Sequence, residues 1–159
     1  MIRAGAASLL LVRAHQLTCA LPLGSVSEVM RPLPLQLLAG LPPYVRGVSM
    51  IRGRATPVVD LSVLLGHELL SALGRYVVVK ASSRVALAVS AVERVWVPRS
   101  RQFSELPRLL ADAGSQHIRS LESLDGELVS VLASTVVLPE EVWQQVAGSE
   151  AARAEAQTT

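Results

Sequence analysis

Glu28 and Asp60 bracket a stretch that holds Arg31, Arg46, Arg52 and Arg54 and no other acid. The chemistry such a set offers is pairing of guanidinium with carboxylate, within the chain or across an interface. As an acid–base couple the two carboxylates each lack an acid partner near in sequence. The plainer readings are therefore a helix cap for Asp60 and a solvated strand position for Glu28. A sharper reading pairs Glu28 with Arg52 at the rim of a barrel, provided their two strands neighbour each other, where the pair would orient the guanidinium for a partner. The arginines as a group read first as a solvated face and second as a partner-facing patch.

Other reactive residue types are scattered. His15, His67 and His117 lie far apart, and only His67-Glu68 sets a histidine beside an acid, a common surface pair rather than a ligand spacing. Cys19 is the single cysteine, has no partner for a disulfide or chelation, and reads as apolar filler in a reducing cytoplasm. Neither a Gly-x-Ser-x-Gly elbow nor a Gly-x-Gly or Gly-Lys-Ser/Thr phosphate cradle occurs. The expectation is no catalysis, no metal and no cofactor.

Half the residues are apolar and only 3% are aromatic, so the core is built from Val, Leu and Ala. Aliphatic strands suit small barrels, whereas base-stacking surfaces need rings. A net charge of +2 is too small for an electrostatic nucleic-acid binder. The uncharged stretches 14–27 and 32–45 contain prolines and fall short of the roughly 20 residues a membrane span requires. Residues 1–12 imitate a signal peptide, but no small-x-small cleavage site follows, and a cytoplasmic chain is expected.

These residues must be positioned by short strands. Val45–Leu64 reads as two strands joined by an Arg52-Gly53 turn, with Asp60 capping a short helix that Gly66 ends. Ser8–Val12 and Leu17–Leu23 have hairpin spacing, and Val26–Arg31 alternates. Prolines at 32, 34, 42 and 43 make Leu33–Tyr44 loop or a single helical turn. Tyr76–Ala81, Arg84–Val89 and Val92–Val97 read as a meander. A helical turn is expected at Leu106–Ala111. Asp125-Gly126 predicts a primed hairpin turn between His117–Leu124 and Glu127–Ala133. Pro139–Val146 reads as a closing helix with Glu140 and Glu141 in its first turn. No internal repeat is evident, and many short strands with Gly and Pro turns argue for barrels.

The order Gly47-Val48, Ile51-Arg52-Gly53, then Pro57-Val58-Val59-Asp60-Leu61 resembles the signature of CheW-like domains. That resemblance implies a mainly all-β fold of two small five-stranded SH3-like β-barrel lobes with one or two short helices. Its extent would be residues 1–147, with lobes at roughly 1–66 plus a C-terminal part and at 75–133, followed by a flexible polar tail over 148–159. The implied function is a non-enzymatic adaptor that couples the cytoplasmic signalling tip of chemoreceptors to the regulatory domain of a CheA-type histidine kinase. Val26, Glu28, Val29 and Arg52 match receptor-binding positions. Gly47, Val48, Gly53, Pro57 and Asp60 match the structural motif and a candidate kinase-docking region. Met50, Ser62 and Ser90 stand where the family more often has Asn, Arg and an acid, and each change removes a polar anchor. Two alternatives follow: an adaptor that keeps the receptor but binds the kinase weakly, or a small-barrel module for nucleic acid or protein.

Overall fold

Runs such as Tyr76–Val79 and Val85–Val89 have no polar face, so they are stable only as strands covered on both sides. In the computed structural model both sides are covered. The structure describes residues 8–80, 84–98, 104–105, 117–133 and 138–158. Along them run β1 (Leu9–Ala14), β2 (Leu17–Pro22), β3 (Val26–Met30), β4 (Val45–Ile51), β5 (Arg54–Asp60), α1 (Leu61–Leu64), β6 (Arg75–Val79), β7 (Val85–Val89), β8 (Ala91–Trp96), β9 (Ser104–Glu105), β10 (Ile118–Leu124), β11 (Glu127–Leu132) and α2 (Glu140–Thr158).

Two sheets form, ordered β3-β6-β7-β5-β4 and β8-β1-β2-β11-β10-β9. Apart from the two-residue β9, the second repeats the first strand for strand. Each has one parallel pair, β5 with β7 and β11 with β2, among antiparallel ones. The match extends to register. Glu28 opposes Val78 and Arg94 opposes Leu11, each beside a bulge. Ser49 opposes Thr56 and Glu122 opposes Val129, each three residues before a two-residue turn, and both hairpins shift register at the same place.

This repeat is one of topology, and it corrects three expectations. An internal repeat exists although no sequence repeat does. The lobes divide elsewhere: the first holds β3 to β7, consecutive in the chain, and the second is built from β1 and β2 before them and β8 to β11 after them. The expected three-strand meander also breaks, because at Ser90 the chain crosses over. The Ser90 N–H donates to Arg13 O at 2.8 Å, which hands β8 to β1 rather than to β7.

Alternation then sorts the core. Leu10, Val12, Cys19 and Leu21 meet Val59, Val77, Val79, Val85, Leu87 and Val89 between the sheets. Ile51, Val58, Tyr76, Val78, Ala86 and Ala88 fill the first lobe, and Leu9, Leu11, Ala20, Val129 and Val131 fill the second. Cys19 lies in the shared layer, where burial pushes its thiol up to about 12. It should stay unlabelled by a disulfide reagent at pH 8 in the folded protein and react fully in denaturant; rapid labelling without denaturant would show that the layer opens.

The Leu33–Tyr44 segment is loop, anchored where Gln36 pairs with Val48. The helical turn expected at Leu106–Ala111 lies outside the described residues. The closing helix is longer than expected. Val142 and Val146 seat it on the shared core, and Glu150 accepts the Ala55 N–H at 2.9 Å. It then continues to Thr158 through residues expected as a tail, where Ala151, Ala152, Ala154 and Ala156 favour helix without needing burial. Among the described residues no helix is long and apolar enough to cross a membrane.

Candidate functional site

β3 and β4 are the two outer strands of the first sheet and share no ladder. Even so, Glu28 on β3 meets Arg52 in the β4–β5 turn, with Nη2 to Oε2 at 2.8 Å and Nε to Oε2 at 3.1 Å. The pair expected from sequence is formed, but not because the strands neighbour each other. The sheet rolls until its ends approach, and the fork spans the seam. Arg52 adopts φ 52° and Gly53 φ 77°, the left-handed pair that a primed two-residue turn demands. This lifts the guanidinium clear of the sheet, with its side chain 71% exposed while Glu28 is 21% exposed.

The hydrogen bond from Arg52 is the main reason the Glu28 carboxyl is held below its ordinary value of 4.5; the charges of Arg52 and Arg84 add to it, and partial desolvation opposes it. The pairing is therefore complete above that ordinary value and is lost only as pH falls through the lowered one. Val29 is exposed beside the pair, and Val26 leans half-buried on the shared core. Charge and aliphatic surface thus lie together on one rim.

The motif residues behave differently. Gly47, Val48, Pro57 and Asp60 are buried, and of the five only Gly53 reaches solvent. Their side chains shape the strands and offer nothing for direct contact. Gly47 has φ 144°, and a Cβ there would stand 2.6 Å from Gln36 O. Asp60 is wholly buried and ties three segments. Oδ1 accepts the Val63 N–H at 3.2 Å as the α1 cap; Oδ2 accepts the Leu70 N–H at 3.0 Å and faces Arg46 Nη1 at 3.1 Å.

Two of the three unusual residues are also absorbed internally. Buried Ser62 donates to Glu68 O, and the Ser90 hydroxyl accepts the His15 N–H at 3.0 Å. Sequence reasoning missed that His15 and Glu68, from different lobes, come within 3.8 Å. No local signal marks that approach. Among the described residues, no three His, Cys, Asp or Glu side chains cluster as a metal site.

The family model for the CheW-like domain matches residues 8–141. The chain belongs to the CheW-like domain family. Among curated relatives, "Chemotaxis protein CheW" of Rhizobium meliloti (strain 1021) is 27% identical over 120 residues, covering 74% of this chain and 77% of that one. "Probable chemotaxis protein CheW" of Rhizobium etli is 26% identical over 111 residues, 68% of this chain and 72% of the other. Among solved structures, the scaffolding protein TtCheW from Thermoanaerobacter tengcongensis superimposes with a TM-score of 0.71 at 17% identity, covering 82% of this chain and 86% of that one. The CheW-like fold is thus mainly β, with two small lobes.

Proposed function

We propose that this CheW-like chain is a non-enzymatic coupling adaptor of chemotaxis or motility signalling, joining the cytoplasmic tip of chemoreceptors to the regulatory domain of a CheA-type histidine kinase. Membership of the family supports the class. The observation that carries the receptor assignment is the rim where a forked, mostly exposed Arg52 stands against Glu28 beside exposed Val29. A receptor tip is helical, and a helix docks by setting aliphatic anchors against such a surface while rim charges set its register. The work is positional: two lobes sharing one aliphatic core hold both partners in fixed relation. It is done on the cytoplasmic side, at receptor assemblies.

Arg52→Ala should lower affinity for a purified receptor signalling fragment about five- to tenfold, because an orienting rim charge is lost. The melting temperature should barely move, since the pair is exposed. Unchanged binding by calorimetry would remove the rim from the receptor site.

A second reading, an adaptor that binds the kinase weakly, draws support from Ser62 and Ser90, whose hydroxyls are engaged internally where the family more often presents larger polar groups. Equal affinity for the kinase regulatory domain and the receptor fragment in parallel pull-downs would dismiss it.

A further inference from the structure

The second lobe has a seam of its own. By the strand correspondence Arg94 stands where Glu28 stands and Asp125-Gly126 where Arg52-Gly53 stand, with the charges exchanged. Arg94 Nη2 lies 3.9 Å from Asp125 Oδ2, a looser closure than the 2.8 Å of the first seam. Here the lobe opens as a cleft of about 620 Å³, walled by Arg94, Trp96, Pro98, Glu122, Leu124 and Asp125.

One carboxylate oxygen in its wall is unmatched. Glu122 occupies the register place of Ser49. In the first lobe the Ser49 hydroxyl is satisfied by Pro34 O at 3.0 Å and lies 3.4 Å from the Tyr76 hydroxyl. In the second, Glu122 Oε1 is buried with no hydrogen-bond partner among the described residues. Thr18 and Ser120, 5% and 1% exposed, lie on the same inner face, and their hydroxyl oxygens are likewise unpartnered. More than nine in ten buried polar atoms find a partner, so the orphaned Glu122 oxygen, the one of the three whose residue walls the cleft, marks a place for a guest.

We propose that this cleft receives the guanidinium head of an arginine side chain on a partner protein, with Glu122 as its acceptor and Trp96 as one wall. An acceptor-only carboxylate lacking a donor selects a donor-rich cation. Arg94 is turned toward Asp125, which leaves the Glu122 charge for the guest. A planar guanidinium suits the site better than an ammonium, because it forks onto a carboxylate and stacks on an indole. Val97, about half exposed in the wall of the cleft, supplies apolar contact area that a free small cation does not use. The proposal concerns the second lobe alone and is independent of whether the Glu28–Arg52 rim binds a receptor.

The test is a ¹⁵N NMR titration of the full chain with methylguanidinium chloride, against sodium chloride at equal ionic strength. The chain has two tryptophans, so the Trp96 indole N–H reports on the cleft and the Trp143 indole N–H on the rest. The expected result is a saturable shift of the Trp96 signal with Trp143 still. Glu122→Gln should weaken it about tenfold or more. If that variant misfolds, as judged by the Trp143 signal, Glu122→Ser copies the first lobe and should show the same loss. No saturable shift up to about 100 mM, equal movement of both indoles, or the same affinity in the folded variants would overturn the proposal. A cleft that holds only water gives the first of those results.

Discussion

Replacing Asp60 by alanine should destabilise the protein by about 3–5 kcal/mol, the range for breaking a buried ion pair from one side. The change leaves Arg46 without its carboxylate, orphans the buried Leu70 N–H, and removes the α1 cap, itself worth about 1 kcal/mol. The melting temperature should fall by about 10 °C. Asp60→Asn keeps an oxygen for Val63 and should lose distinctly less. A shift of under about 1 kcal/mol for alanine, by urea unfolding, would show that the three segments hold together without this carboxylate.

Gly74→Ala should be as severe. A Cβ on Gly74 would stand 1.8 Å from Ser90 O and 2.7 Å from its carbonyl carbon, at the point where the chain passes from the first lobe to the second. Backbone has to move, since no flexible side chain is there to yield, and overpacking of this kind costs about 3 kcal/mol or more. Gly24→Ala is the control. Nothing lies within 4 Å of its Cβ position and its φ is not left-handed, so the change should stay within about 0.5 kcal/mol of neutral. Equal stabilities for the two variants would contradict the tight crossing.

Local chemistry was legible and long-range pairing was not. Arg52-Gly53 and Asp125-Gly126 announce their turns because few residues tolerate a left-handed backbone. Asp60 announces a cap because its oxygen reaches the Val63 N–H over three residues. The Glu28–Arg52 pair was expected on the premise that their strands are neighbours; the pair forms, but the strands are the two ends of one sheet and the charges meet because the sheet rolls. By contrast, every residue of β7 is buried and apolar, so its pattern offers no polar face to say which strands flank it. The same holds where β8 leaves for β1. The repeat escaped notice because matched positions carry unlike residues: Glu28 against Arg94, Ser49 against Glu122. The distal part of α2 read as tail because it has no apolar stripe; its alanines hold the helix by propensity.

The nesting of one lobe inside the other sets a timetable for synthesis. The first lobe is one uninterrupted segment and is complete once residue 89 has left the ribosome. The β1–β2 hairpin is made earliest yet must wait, its parallel edge bare, until β11 is translated some hundred residues later. Slow elongation between those points would lengthen the life of a half-assembled adaptor, and a chain that stops there would carry one finished lobe and one open, sticky edge.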